Sequence, residues 1–181
     1  MNHRLNRRAL VAACALLAVS PLPAAAAPVR PAPSGSLATF EGHQIDLAQG
    51  WGEATACAVT DTGTTCYRSE AEMDAATKTP TPATSTAEAS ATASACSSSL
   101  RLYDGTSFTG TVLSVSTRGS LLTLSTYGFD NKTSSYKVAA CAAILYSGIQ
   151  SGTYPGNTAA NAQAASMQSG WDNVISSVLI P

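Results

Sequence analysis

Gly128-Phe129-Asp130-Asn131-Lys132-Thr133-Ser134-Ser135-Tyr136 returns later in the chain as Gly170-Trp171-Asp172-Asn173-Val174-Ile175-Ser176-Ser177-Val178. Both stretches read glycine, aromatic, Asp-Asn, two variable residues, Ser-Ser and then a β-former. Asp, Asn and Ser offer the hard oxygen donors that Ca²⁺ prefers. The same side chains also close turns by bonding their own backbone, which is the plainer reading.

The likeness extends upstream of each stretch. Leu102-Tyr103 lies on Leu145-Tyr146 at an offset of 43, and Asp130-Asn131 on Asp172-Asn173 at an offset of 42. One copy carries Tyr103-x-x-x-x-Phe108-x-Gly110. The other carries Tyr146 and then Tyr154-Pro155-Gly156, as if its first hairpin were longer. Between and around these points run short β-type segments: Leu100 and Leu102; Val112, Leu113 and Val115; Leu121, Leu122 and Leu124; Tyr136 and Val138; Ile144, Leu145 and Tyr146. A last strand is expected over 174–180. Gly105, Gly110, Gly119 and Gly128 punctuate the runs. Regular short strands with turn signals predict an all-β sandwich, and the duplication predicts two Greek-key motifs of about four strands each.

Tyr-x-x-x-x-Phe-x-Gly followed by Asp-Asn-x-x-Ser-Ser resembles the βγ-crystallin Greek key with its calcium-binding signature, over about 96–180. The flanking cysteines, the export-type leader and the Leu-Tyr-Asp-Gly and Tyr-Gly-Phe-Asp-Asn segments are similar to the secreted bacterial branch. That branch includes the actinobacterial metalloproteinase inhibitors, a βγ-crystallin-like peptidase inhibitor family. The resemblance implies two loops that clamp two Ca²⁺ ions crosswise, with Asp130, Asn131 and Ser134 facing Asp172, Asn173 and Ser176. Two carboxylates for two ions imply weak sites, roughly 10⁻⁵–10⁻³ M. It further implies a non-enzymatic proteinase inhibitor whose partner is a secreted protease, with 147–156 as a candidate contact loop. The alternatives are a calcium-binding extracellular structural or stress module and an antimicrobial relative.

Outside the repeat, residues 1–26 read as a secretory signal peptide. Arg4, Arg7 and Arg8 precede a short apolar run, and Ala24-Ala25-Ala26 supplies a small-residue cleavage site. The mature protein is therefore expected to be extracellular, monomeric and free of the membrane. Without those three arginines the chain has seven Lys/Arg against eleven Asp/Glu, a formal charge of −4, and no basic stripe that would hold nucleic acid. Residues 27–36 are Pro-rich and read as a disordered tail. Residues 37–76 predict a small extension: a hairpin through Glu41-Gly42, strands at 54–59 and 64–67 joined by Thr60-Asp61-Thr62-Gly63, and a short helix capped by Ser69. Residues 77–95, rich in Ser, Thr, Ala and Pro, read as a linker, and 96–181 as the Greek-key domain.

Four cysteines remain beyond the leader: Cys57, Cys66, Cys96 and Cys141. In an exported chain they imply two disulfides, with three connectivities open. Cys57 with Cys66 and Cys96 with Cys141 are preferred because each keeps both partners in one segment, and a bridge from Cys66 to Cys96 is the rival. No catalytic residue is expected. His43 is the one histidine left after the leader, and it lies outside the repeat, where no Ser-His-Asp or Cys-His set can be assembled from the motifs.

Overall fold

The computed structural model describes residues 36–78 and 99–181. The expected signal peptide, nearly all of the tail and linker, and Cys96 lie outside the described residues. Leu37–Phe40 (β1) and His43–Asp46 (β2) pair antiparallel around Glu41 and Gly42, at φ of 49° and 79°. Two successive positive φ values match the right-handed twist of a tight hairpin, and glycine takes the second without strain. Ala56–Thr60 (β3) and Gly63–Tyr67 (β4) form the second hairpin, which places Cys57 directly opposite Cys66. These two form a disulfide. The helix Glu70–Lys78 (α1) starts at Ser69, whose Oγ accepts the Glu72 N–H at 3.1 Å. It runs two residues beyond the expected extension, so a linker can begin only after Lys78.

Leu100–Tyr103 (β5), Val112–Val115 (β6), Leu121–Thr123 (β7) and Ser135–Val138 (β8) are the four strands of the first Greek key. The second has Ile144–Tyr146 (β9), Gln163–Ala164 (β10) and Ser177–Leu179 (β11). Its expected remaining strand is reduced to a single bridge between Tyr146 and Thr153. The segment there is Ser147-Gly148-Ile149-Gln150-Ser151-Gly152, where glycine and small polar residues leave no β-branched run to pleat. Leu124 also leaves the expected strand and opens a 3₁₀ turn, Leu124–Tyr127.

Two sheets result, with orders β10-β8-β5-β6-β3-β4-β1-β2 and β7-β11-β9. The motifs exchange strands: β7 of the first pairs with β11 of the second, and β10 of the second pairs with β8 of the first. This is an all-β fold of two interlocked Greek keys. The extension continues the larger sheet, because β3 pairs in parallel with β6, matching Ala56 to Val112 and Val59 to Val115.

The alternation of β5 explains the layering. Leu100 and Leu102 face the interior with Leu113, Val115, Val138, Leu145, Ile175 and Val178. Ala38, Leu47, Trp51, Cys57 and Val59 of the extension join the same core. Tyr103 points to the other face, where Met73 of α1 is buried over Ala56, Ala58 and Val112. Burying the Met73 side chain alone contributes about 1.5–3 kcal/mol. No helix among the described residues is long and apolar enough to cross a membrane.

Candidate functional site

The two repeated stretches meet across the interlock and grip each other reciprocally. Each begins at a left-handed glycine, Gly128 at φ 64° and Gly170 at φ 81°, and each bends again at its asparagine, Asn131 at 54° and Asn173 at 57°. Asn tolerates that region because its short side chain bonds locally. The Asn131 N–H donates to Ile175 O and the Asn173 N–H to Thr133 O, both at 3.0 Å. These two bonds are related by the same offset of 42 that relates the sequences.

The side chains repeat the exchange. Ser176 Oγ donates to Asn131 Oδ1 at 3.3 Å, and Ser134 Oγ donates to Asn173 Oδ1 at 3.4 Å. Within each loop the asparagine amide turns to the preceding aspartate, Asn131 Nδ2 to Asp130 Oδ2 and Asn173 Nδ2 to Asp172 Oδ2, both at 3.3 Å. The six expected residues therefore form two equivalent sets. Set one is Asp130, Asn131 and Ser176; set two is Asp172, Asn173 and Ser134. Each draws on both loops.

The sets differ in burial. Asp172 is exposed, whereas Asp130 is half-buried and its Oδ1 is inaccessible to solvent without a hydrogen-bond partner. Thr133 Oγ1, fully buried in the same loop, is likewise unpartnered. A buried carboxylate oxygen without a donor loses its hydration and gains nothing in return unless a cation or water supplies the partner. The donor set fits Ca²⁺ on this test. Oxygens ligating one Ca²⁺ at 2.3–2.6 Å stand about 3.0–3.7 Å apart, and the Asn–Ser pairs already lie within that span. Among the described residues no three His, Cys, Asp or Glu side chains cluster, so an ion held here would rely mainly on neutral oxygens.

The second serine of each Ser-Ser has a different task, which the sequence pattern does not signal. Ser135 Oγ donates to Gly105 O at 2.6 Å and accepts the Phe108 N–H at 3.0 Å. Ser177 Oγ donates to Gly148 O at 2.6 Å and accepts the Gln150 N–H at 3.5 Å. Both serines are fully buried, and each pins the folded hairpin of its own motif.

That pairing corrects the alignment of the second copy. The counterpart of Phe108 (φ 61°) is Gln150 (φ 56°), and that of Gly110 (φ 79°) is Gly152 (φ 65°). A Cβ at Gly110 would collide with the Asp104 carboxylate, and one at Gly152 with Ser147 Oγ. The second hairpin is therefore one residue shorter than the first, not longer. The aromatic residue that suggested otherwise, Tyr154, packs edge-on against Tyr136 and Trp171, with ring centroids 5.7 and 5.3 Å away. Tyr103 does meet Phe108 edge-on at 5.8 Å. Cys141 takes part in a disulfide, and its expected partner Cys96 lies outside the described residues. His43 is exposed on β2.

No protein-family model matches the chain, and no curated protein matches it. Two solved structures resemble it. A βγ-crystallin from Ciona intestinalis is 20% identical over 46% of this chain and 99% of that one, with a TM-score of 0.39. The N-terminal domain of protein S is 23% identical over 46% of this chain and 96% of that one, with a TM-score of 0.36. The fold assignment rests on the interlocked strand order and the paired loops, not on these scores. Neither protein is described as a peptidase inhibitor, and the finer resemblance to that family draws no support from them.

Proposed function

We propose that this is an exported, non-enzymatic Greek-key protein that binds Ca²⁺ weakly at two sites and is stabilised by it. The observation that carries this reading is the buried, unpartnered Oδ1 of Asp130, in the residue next to Asn131, whose Oδ1 accepts the Ser176 hydroxyl of the opposite loop. Asp130, Asn131 and Ser176 would hold one ion, and Asp172, Asn173 and Ser134 the other. Bound there, Ca²⁺ would tie the two motifs together at their crossing, and weak sites would fill only at extracellular calcium levels. Titration of the mature protein by calorimetry, with parallel thermal melts, tests the reading. Millimolar Ca²⁺ is expected to raise Tm, and Asp130→Ala with Asp172→Ala to abolish the rise. An unchanged Tm in the unmutated protein would refute it.

A second reading, inhibition of a secreted protease, is favoured by one feature. Ile149 is 70% exposed at the tip of the hairpin that Ser177 pins. An apolar side chain on a pre-ordered hairpin loses little entropy on entering an enzyme cleft. Titration against thermolysin-like and subtilisin-like proteases addresses it. Inhibition lost in Ile149→Asp supports it, and no inhibition at micromolar protein rules it out.

A further inference from the structure

We infer that the N-terminal extension is a built-in clamp on the first loop. Trp51 acts as a positioning residue that makes the set Asp130–Asn131–Ser176 the tighter of the two sites. The inference rests on the calcium reading above and goes beyond it, since a duplicated motif by itself predicts two equal sites.

The asymmetry lies in what touches each loop just before its Asp-Asn. Trp51 Nε1 donates to Tyr127 O at 2.7 Å. Its ring stacks on Phe129, the residue preceding Asp130, with centroids 5.7 Å apart. The Ser36 N–H donates to Thr126 O at 2.8 Å, and Ser36 O in turn accepts the Leu47 N–H at 3.1 Å. The Leu47 carbonyl sits so close to Gly128 that a Cβ there would collide with it. Residues 126–129 are therefore held by groups that belong to no Greek key.

Among the described residues the second loop draws its corresponding support from its own motif, where Tyr154 Oη accepts the Gln168 N–H at 3.3 Å, and not from the extension. A Cβ at Gly170 would meet nothing within 4 Å. Trp171 leans on Tyr154 of its own motif, and Asp172 is exposed where Asp130 is half-buried. A loop whose backbone is fixed before binding loses less conformational freedom on taking up an ion, and a half-buried carboxylate attracts the ion through less intervening water. Both differences favour the first site. By linkage, calcium in that site must also tighten the docking of the extension.

Trp51→Phe removes the indole donor to Tyr127 and keeps an aromatic ring over Phe129. Groups bonded directly to a metal ligand are worth about tenfold or more in affinity, and Trp51 acts one step farther out, so about tenfold is the upper limit here. In the full mature chain, Ca²⁺ titration should show two affinities. Trp51→Phe should weaken the tighter one by up to about tenfold and leave the weaker one unchanged, and Asp130→Asn should remove that same tighter phase. In metal-free protein, Trp51→Phe should speed amide exchange at 129–131 and not at 171–173. General destabilisation cannot produce this selectivity. Should Trp51→Phe fail to fold, Trp171→Phe decides the matter, because Trp51 is then the sole tryptophan. Its emission should change over the tighter binding range alone, and a change over both ranges or neither overturns the proposal. If the unmutated protein binds no Ca²⁺, the calcium reading falls and this one with it. If it binds two ions and Trp51→Phe weakens both sites or neither, this proposal alone falls.

Discussion

Ser135 and Ser177 show how one hydroxyl fixes a local shape. Each is fully buried, donates to a glycine carbonyl and accepts a backbone N–H at the bend of a hairpin whose bend residue has positive φ. Replacing Ser135 with Ala leaves Gly105 O without its donor and the Phe108 N–H without its acceptor. The expected loss is about 1–3 kcal/mol, measured by urea denaturation. Ser177→Ala should cost less, because its bond from Gln150 is the longer one at 3.5 Å. Substituting the neighbouring serines, Ser134 and Ser176, should instead act mainly on calcium dependence, since their hydroxyls face the opposite loop. The Ser-Ser dipeptide announces a special turn in the sequence. The division of labour within it became visible only once both hairpins were folded beside it.

At the level of elements, α1 is attached to the sheet by a polar cluster beside the buried Met73. Arg101 of β5 donates to Glu70 at 2.5 Å and to Asp74, and the Tyr103 hydroxyl donates to Glu70 at 2.7 Å. Lys137 lies over the Tyr103 and Phe108 rings. Burial, and then the Glu70 carboxylate, push the Tyr103 phenol above its ordinary value of 10.0. A raised folded-state value means this contribution is fully present below the unfolded value and lost as pH climbs through the folded one. Stability should therefore hold up to about pH 10 and decline above it. Exchange at α1 should rise as the phenolate forms against Glu70. Tyr103→Phe should lessen that decline, although Tyr136, raised first by burial, adds its own share. Ser69 and the acidic first turn make the helix legible in the sequence. Its polar attachment to β5 is not, because Arg101 lies 27 positions from Asp74 and Tyr103 lies 33 from Glu70.

For the molecule as a whole, the position of β3 decides how the disulfide acts. Cys57 sits in a strand paired with β4 on one side and β6 on the other, inside an eight-stranded sheet. Closing a ten-residue loop contributes roughly 2–3 kcal/mol in the chain-entropy model. In a separate lobe that loss would melt the lobe alone. Here Cys57→Ala with Cys66→Ala should lower the stability of extension and Greek keys together by about that amount, in one transition seen alike by tryptophan fluorescence and far-UV circular dichroism. A first transition confined to the extension would show that the shared sheet does not couple them.

What the sequence determined by itself was everything carried by local chemistry or by self-comparison. The Glu41-Gly42 and Asp61-Thr62 turns, the Cys57–Cys66 facing pair, the Ser69 cap and the duplication marked by Asp-Asn-x-x-Ser-Ser were all readable. Each depends on residues a few positions apart or on a repeat of fixed offset. The tertiary structure alone decided which strands the two motifs exchange and that the extension joins the sheet through a parallel pairing of β3 with β6. It also decided that the second copy keeps only one bridge of a strand, and that Trp51 reaches Tyr127 and Phe129 across 76 positions. Such choices turn on which buried faces and backbone edges satisfy one another in three dimensions, and no local residue pattern encodes that.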